Sequence, residues 1–333
     1  MAPHGGYSDL CHISSWRDPM RLPFHRLLLI GALLGLGAAC VSQRASPTRL
    51  VIAVQPTLTA AEVQQKARPL EQYLEQRLGP GVDVEIYVPL SQAGVVEALR
   101  FGQAHVAFMG PFAGLLAVER ANAEVVLAEV REVIHDSQKT EATYYYSYWV
   151  VPKDSPYTSI TDLKGKRACF PSTISTSGYI GPMARLIELG LLPEPPEGRE
   201  VDPRAFFGQV LFAGGYSQCW EALKAGQVDV TVIAGDVPEK LYQEVLANTR
   251  VLERQGPLPS HVVVVSPALP EPLRSKVIDA LIGLSAPEYR SLMRQFISGI
   301  FVGFQRTDAQ THLGTLREYV KRTHIAFSER IAP

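Results

Sequence analysis

Hydrophobic and polar positions along the chain alternate between the period of a strand and the period of a helix. Residues 49–54 (RLVIAV) are a short apolar run rich in β-branched side chains, which predicts a strand. Residues 82–88 (VDVEIYV) alternate with period two and predict a second strand. Between them, apolar residues recur at spacings of three and four, which predicts a helix over 60–78 that ends at Gly79. The apolar face of this helix is formed by Val63, Ala67, Leu70, Leu74 and Leu78.

The same alternation of strands and helices continues through the next fifty residues. Helices are predicted at 91–101 and 112–121, and strands at 104–108 and 124–131, the first of which Gly110-Pro111 stops. A βαβαβαβ order is typical of a mostly parallel sheet with helices on both faces. The chain is therefore predicted to be an α/β protein.

A second α/β unit follows a long predicted strand at 144–151 (YYYSYWVV). Further strands are predicted at 166–170, 209–213 and 228–234, and helices at 177–190 and 216–225, with a proline-rich loop at 191–204. A strand at 261–266 then begins a return, followed by helices at 271–283 and 286–297. We therefore predict two lobes, 49–142 plus 263–333 and 143–262. Two crossings between them are expected to form a hinge.

The N-terminal region is typical of an export signal. Residues 27–39 form an uncharged, mostly apolar run that is shorter than the ~20 residues of a membrane span. Arg21, His25 and Arg26 precede this run, as in the positive region of a signal peptide. Small residues lead from it to Cys40, which resembles a bacterial lipobox, although Gly37 stands where Leu or Val is usual. Alternatives are an ordinary signal cleaved near Ala39 and a buried helix.

We accordingly predict a signal peptide over 1–39 and a lipid on Cys40. Residues 40–48 then form a flexible tether, and the mature protein lies on the periplasmic or cell-surface face, held to the membrane by its lipid alone. Residues 1–19 are long for a signal's charged region, and Met20 is an alternative start.

Charge and cysteine content exclude several classes of protein. The 333 residues include 32 Lys or Arg and 33 Asp or Glu, so no basic field exists to bind nucleic acid. No Cys/His cluster has the spacing of a zinc site, and we expect neither a metal nor a cofactor. Cys169 and Cys219 could pair in an oxidising compartment. Two buried thiols are the simpler interpretation, and the sequence leaves the choice open.

Residues 170–182 (FPSTISTSGYIGP) carry the most specific chemical signal. Ser175, Thr176 and Ser177 place three hydroxyls at the start of a predicted helix, where backbone N–H groups are free and the helix dipole is positive. Such a turn can bind a tetrahedral oxyanion without Lys or Arg. The alternative is that these residues only cap the helix.

The stretch from Tyr145 to Pro182 resembles the phosphate/phosphite/phosphonate-binding proteins of bacterial ABC importers. Its strand, the Lys153-Asp154-Ser155 turn, residues 162–166 (DLKGK) and residues 175–178 (STSG) match in order. The resemblance covers about 49–305. Further segments match at 70–74 (LEQYL), 96–102 (VEALRFG), 107–111 (AFMGP), 212–215 (FAGG) and 225–230 (AGQVDV). The resemblance implies a two-lobed, type II periplasmic-binding-protein fold with a ligand cleft between the lobes.

The resemblance also implies roles for individual residues. Ser175, Thr176 and Ser177 would hold the oxyanion, and Tyr145 matches an aromatic residue that reaches the ligand, although it could instead pack in the core. The remaining candidates are Met109, Gly110, Tyr216 and Asp229. The family often has His in place of Tyr216 and sometimes Tyr in place of Met109, so the half of the site that contacts the ligand's substituent differs. Asp229 could instead be structural, and Asp236 is equally open.

The predicted function is a monomeric, lipid-anchored binding protein that captures a phosphorus oxyanion for an ABC permease. A ligand-sensing module for signalling is the alternative, and an enzyme on the same fold is a weaker one. No Gly-x-Ser-x-Gly elbow or His-Glu-x-x-His motif is present, and we predict no catalytic residues. Phosphate, phosphite and phosphonates share the same oxyanion, so the sequence does not choose among them.

Overall fold

A computed structural model describes residues 48–55, 60–135 and 138–326. In chain order, the strands of this part are β1 (Thr48–Val54), β2 (Val82–Tyr87), β3 (Val106–Met109), β4 (Glu124–His135), β5 (Gln138–Ala142), β6 (Tyr144–Pro152), β7 (Arg167–Phe170), β8 (Gln209–Phe212), β9 (Val230–Ala234), β10 (Thr249–Pro259), β11 (Val262–Val265) and β12 (Phe301–Arg306). Its α-helices are α1 (Ala60–Leu78), α2 (Gln92–Arg100), α3 (Pro111–Ala121), α4 (Gly181–Glu188), α5 (Tyr216–Lys224), α6 (Glu239–Asn248), α7 (Leu273–Gly283), α8 (Arg290–Phe296) and α9 (Ala309–Thr323).

Two β-sheets organise the fold, and each defines a lobe. The first lobe contains the sheet β12-β4-β11-β3-β1-β2, with β5 paired to β4, and the second contains the sheet β10-β6-β9-β7-β8. The predicted two-lobed α/β architecture is confirmed. The sheets are mixed, however, rather than mostly parallel. In the first lobe β1 runs parallel to β2 and β3, whereas β11 returns from the second lobe and enters antiparallel between β3 and β4.

Strand β1 shows why helices cover both faces of the first sheet. Successive side chains of a strand point to opposite faces. Leu50 and Ile52 pack on one side with the apolar face of α1, while Val51 and Ala53 pack on the other with residues of α2 and α3. All four side chains are buried. A strand that is buried on both faces needs apolar side chains at successive positions, which explains the continuous apolar run in the sequence.

The chain passes twice between the two sheets through adjacent segments. It leaves the first sheet between Ala142 and Tyr144 and returns to it between Pro259 and Val262. The two crossing strands lie side by side, since β6 pairs antiparallel with β10 and the Ser260 N–H donates to the Thr143 carbonyl at 2.9 Å. A narrow hydrogen-bonded ribbon thus joins the lobes, which is the geometry of a hinge.

Helix α9 forms a third connection, which the sequence does not predict. It follows β12 of the first lobe, yet it packs on α4 and β10 of the second lobe as well as on α3 and β4. Its last carbonyl, that of Thr323, accepts a hydrogen bond from the Val201 N–H at 2.9 Å. The predicted assignment of 263–333 to the first lobe therefore does not describe α9, which spans both lobes.

The predicted N-terminal features fall outside the described residues. These are the signal peptide over 1–39, the lipidated Cys40 and the tether, of which only Thr48 is described, as the first residue of β1. Among the helices of residues 48–55, 60–135 and 138–326, none has the length and apolar character to cross a bilayer.

Cys169 of β7 and Cys219 of α5 form a disulfide, with their Cα atoms 5.5 Å apart. The interpretation of two free thiols, favoured above, is therefore replaced by pairing. Both residues are fully buried. The bridge closes a loop of 50 residues and fastens α5 onto the sheet of the second lobe.

We expect the disulfide to stabilise the fold by about 2–4 kcal/mol, because it restricts the unfolded chain. Reductant should therefore lower the denaturation midpoint of the parent protein. The Cys169→Ala/Cys219→Ala variant should start from a lower midpoint and should not respond to reductant. Four titratable thiols in the unreduced, unfolded full-length parent, instead of the two that Cys11 and Cys40 supply, would contradict the disulfide.

Candidate functional site

A cleft of about 430 Å³ opens between the two lobes. It lies where β1, β3, β7 and β9 end, so its lining follows the carboxyl ends of strands from both sheets, the edge at which open α/β sheets bind ligands. The first lobe contributes Gln55, Gln92, residues 110–113 and His261. The second lobe contributes Tyr145, Pro171, Ser172, Ile174, Ser175, Thr176, Ser177, Gly214, Gly215, Tyr216 and residues 236–238.

The turn after β7, residues 175–177, is called here the anion turn. The Ser175 hydroxyl caps the helical run that follows, since it accepts a hydrogen bond from the Gly178 N–H at 2.9 Å. This run begins with a π-helical turn over Thr176–Ile180 and continues as α4. The first N–H groups of a helix have no partner within it, and here they belong to residues that line the cleft.

Gly178 is required by the tight packing of this turn. A Cβ atom at this position would lie 2.7 Å from both the Pro171 side chain and the Ser175 hydroxyl. Any larger residue would displace the cap that shapes the anion turn. The Gly in the Ser-Thr-Ser-Gly segment thus has a steric role.

Three hydroxyls of the cleft form a connected chain. The Tyr145 hydroxyl donates to the Ser177 hydroxyl at 3.2 Å, and the Ser177 hydroxyl lies 2.8 Å from that of Tyr216. Burial raises the pKa of both tyrosines, and the nearby Asp236 carboxylate raises it further. Both phenols therefore stay protonated and can donate hydrogen bonds.

A buried ionic network, absent from the predicted site, lies behind the cleft. The Arg131 guanidinium contacts Glu129 at 2.8 Å and Asp236 at 2.8 Å, and these three side chains are only 5%, 2% and 11% exposed. Burial raises the pKa of both carboxyls, an effect that Arg131 opposes. The sequence did contain a signal, because Glu129 and Arg131 are charged residues at alternate positions, and hence on one face, of a strand whose preceding residues 125–128 (VVLA) are apolar.

Gly235 lets the two lobes approach closely at this network. The Ile134 N–H donates to the Gly235 carbonyl at 3.0 Å, and a Cβ on Gly235 would lie 2.6 Å from the Ile134 carbonyl oxygen. The end of β9 thereby contacts β4 of the first lobe. Asp236, the next residue, is held at the base of the cleft.

Gln55 and His261 organise the side of the cleft in the first lobe. The Gln55 carbonyl oxygen accepts a hydrogen bond from the Gly110 N–H at 2.7 Å, and its amide nitrogen lies 3.5 Å from His261 Nδ1. Burial lowers the pKa of His261 well below its usual value, and Arg131 lowers it further. His261 is therefore neutral near pH 7.

The structure brings together six of the predicted ligand-binding residues. They are Gly110, Tyr145, Ser175, Thr176, Ser177 and Tyr216. Met109 is not among the residues that line the cleft. It is 1% exposed and lies behind Gly110, beside a small pocket that Glu129 also lines.

Asp229 is also placed away from the cleft. Its carboxylate accepts two hydrogen bonds from the Arg167 guanidinium, at 2.7 and 3.0 Å. Arg167 begins β7 and Asp229 precedes β9, so both stand at the amino ends of these parallel strands, opposite the cleft. Asp229 thus pairs with Arg167 in a structural role, which is the alternative interpretation given for this residue in the sequence analysis.

The electrostatic character of the cleft comes from dipoles. No Lys or Arg belongs to its lining in the described part of the chain. The described residues as a whole contain no group of three or more His, Cys, Asp or Glu able to hold a metal ion. Hydroxyls, backbone N–H groups and the uncharged side chains of Gln55, Gln92 and His261 are therefore the donors available to a bound anion.

Comparison with known proteins gives a consistent result. A family model described as "ABC transporter, phosphonate, periplasmic substrate-binding protein" matches residues 52–312. The phosphate-import protein PhnD of Mycolicibacterium smegmatis is 32% identical over 185 residues, which cover 55% of this chain and 54% of that protein. The phosphonates-binding periplasmic protein of Escherichia coli is 25% identical over 235 residues, covering 68% and 64%. The chain thus matches less than two thirds of each relative's length.

A solved structure shows the same fold. The binding protein component of an ABC phosphonate transporter from Pseudomonas aeruginosa superposes with a TM-score of 0.60 at 21% identity, over 86% of this chain and 91% of that one. This likeness confirms the two-lobed, type II periplasmic-binding-protein fold.

Proposed function

The chain belongs to the family of periplasmic phosphonate-binding proteins of ABC transporters, since the family model spans most of it, and we propose that its cleft captures a phosphorus oxyanion for an ABC permease. The ligand would be a phosphonate, phosphite or phosphate. The named relatives are a phosphate-import protein and a phosphonates-binding protein, which supports a binding role rather than a catalytic one. Sensing for a signalling partner stays the alternative.

This proposal rests on the anion turn, which lies at the N-terminus of a helical run and lines the cleft. Ser175, Thr176 and Ser177 line the cleft together with the hydroxyls of Tyr145 and Tyr216. A buried oxyanion must have its oxygens hydrogen-bonded, because an unpaired charge is costly to desolvate. Helix N-termini and hydroxyls meet this requirement without a cationic side chain.

The first lobe presents a second helix start to the same cleft. Helix α3 begins at Pro111, with Gly110 as its N-cap residue. Residues 110–113 line the cleft opposite the anion turn. An anion between two helix N-termini is stabilised by both. We infer that ligand binding draws the lobes together about the hinge.

The N-terminal region completes the proposal. A signal over 1–39 would direct export, and a lipid on Cys40 would anchor a monomeric protein to the membrane. Residues 41–47 then separate the anchor from Thr48, where β1 begins. This spacing would let the lobes open and close beside a membrane-bound permease.

Loss of one hydroxyl from the anion turn is expected to weaken ligand binding. Hydrogen bonds to charged groups contribute about 1.5–3 kcal/mol, so Thr176→Ala and Ser177→Ala should each reduce affinity roughly ten- to a hundredfold. Thr173→Ala, at an exposed position outside the cleft, is the matched control and should bind like the parent. Isothermal calorimetry with methylphosphonate, phosphite and phosphate measures the effect. If both variants match the parent for every ligand that binds, the turn is only a helix cap.

Ligand should also change the shape of the protein. Closure about the 142–144 and 259–262 crossings brings the lobes together, so a saturating phosphorus oxyanion should reduce the radius of gyration measured by small-angle X-ray scattering. Thr176→Ala at the same ligand concentration, chosen to saturate only the parent, should show a smaller change. Superimposable scattering curves for the free and saturated parent would refute closure.

The anchor can be tested in cells. Cys40→Ser removes the thiol that a lipid would occupy, so the variant should leave the membrane fraction or accumulate as an unprocessed precursor. Cys11→Ser, a change in the predicted signal region, is the control and should fractionate like the parent. Membrane association that is unchanged in Cys40→Ser argues against the lipid anchor.

A further inference from the structure

The cleft offers a bound anion hydrogen bonds but no net positive charge. Among the described residues that line it, Asp236 is the carboxylate, and Lys and Arg are absent. The Arg131 guanidinium behind it contacts two carboxylates, those of Glu129 and Asp236. This network carries one negative charge when both carboxyls are ionised and none when one is protonated. In neither state does it compensate a dianion.

Asp236 lies close to the position where the oxyanion would bind. The Tyr145 hydroxyl donates to Ser177 at 3.2 Å. Burial raises the pKa of Asp236, and the neighbouring Arg131 and Tyr145 side chains oppose this effect. Burial raises the pKa of Tyr216, and the Asp236 carboxylate raises it further. The Tyr216 hydroxyl lies 2.8 Å from that of Ser177. The Asp236 carboxylate and the Ser177 hydroxyl therefore line the same cleft and share Tyr145 and Tyr216 as neighbours.

A negative oxygen of the ligand and the Asp236 carboxylate repel each other strongly in this cleft, because screening by water is weak there. An oxygen that keeps its proton removes the repulsion and gives the carboxylate a hydrogen-bond donor. Taking the proposed function as given, we propose that the cleft selects oxyanions that retain one acidic P–O–H group, which donates to Asp236 while the anion turn holds the unprotonated oxygens. The ligand would bind as its monoprotonated form, and sulfonates and sulfate, which have no such proton, would be rejected.

Burial raises the pKa of Asp236 and of Glu129, an effect that Arg131 opposes, whereas three other groups around Asp236 keep their charge near neutral pH. The groups facing Asp236 are Glu129 and Arg131 of β4, Tyr145 of β6, Tyr216 of α5 and His261 before β11. Both tyrosines have raised pKa values and His261 has a strongly lowered one. None of these three changes charge between about pH 6 and 8.

Methylphosphonate and methanesulfonate form a matched pair for the test. Below the second pKa of methylphosphonate, both are monoanions with three oxygens and one methyl group, and only the phosphonate has a proton to donate. We expect the parent to bind methylphosphonate at least tenfold more tightly. Its affinity should be constant below that second pKa and should fall about tenfold per pH unit above it, because only the monoprotonated form binds.

Asp236→Asn should change the selectivity without removing the anion turn. The Asn amide can donate to an unprotonated oxygen, and Arg131 keeps Glu129 as its partner. The preference for methylphosphonate over methanesulfonate should fall at least tenfold, and the loss of affinity above the second pKa should disappear. Asp229→Asn makes the same chemical change in the carboxylate paired with Arg167 at the opposite edge of the sheet, and it should keep both the preference and the pH profile of the parent.

Calorimetry on the three proteins separates this inference from the proposed function. If the parent binds methylphosphonate, phosphite or phosphate but its affinity rises with pH, or if it binds methanesulfonate equally well, the proton-selection inference is wrong and the proposed function stands. The inference also fails if 2-aminoethylphosphonate binds at least tenfold more tightly than ethylphosphonate, because Asp236 would then serve a cationic substituent. If no phosphorus oxyanion binds at any pH, both fail. Should Asp236→Asn not fold, the parent's ligand ratio and pH profile decide.

Discussion

The contact of Arg131 with Glu129 and Asp236 is the interaction on which the site depends. It joins a strand of the first lobe to the residue that follows β9 in the second, and it does so at the base of the cleft. Removal of one partner from such a buried network leaves an uncompensated charge, at a cost of about 3–5 kcal/mol. The network therefore fixes Asp236 at the base of the cleft.

The proposed recognition of an anion by dipoles is compatible with the near-neutral composition of the chain. A protein that collects small anions with Lys and Arg would also attract other anions through its long-range field. The donors that line this cleft are uncharged hydroxyl, backbone N–H, amide and imidazole groups, whose hydrogen bonds act only at contact distance. Rigid placement of those donors then matters more than charge, and the close packing at Gly178 and the disulfide of Cys169 with Cys219 both restrict the second lobe around them.

The sequence predicts the local elements better than their pairing. Strong patterns such as α1 and β1 correspond to observed elements within a residue or two, and Ser175, Thr176 and Ser177 do line the cleft. The order of strands in the first sheet could not be read locally, because β11 inserts between β3 and β4 from more than a hundred residues away. Strands β5, β10 and β12 were not predicted. The residues of β5 (QKTEA) are mostly polar, and β10 and β12 each contain a glycine, so their hydrophobic patterns are weak.

Long-range partners also decide the role of single charged residues. Asp229 and Asp236 look alike in sequence, as acidic residues flanking one strand. One lies at the amino end of β9 beside Arg167, and the other at its carboxyl end beside Arg131. Only the direction of β9 within the sheet separates them. Met109 is similar, because its side chain points into the core while Gly110 lines the cleft.

Helix α9 has a mechanical consequence for the motion of the two lobes. Two adjacent strands can bend and can also twist about their common axis, so a ribbon alone would leave the lobes two rotational degrees of freedom. The α9 connection leaves β12 of the first lobe, and its end is held on the second lobe by the Thr323 carbonyl and by the ion pair of Arg322 with Glu188. A third attachment away from the ribbon resists the twist, so the lobes are constrained to open and close about a single axis.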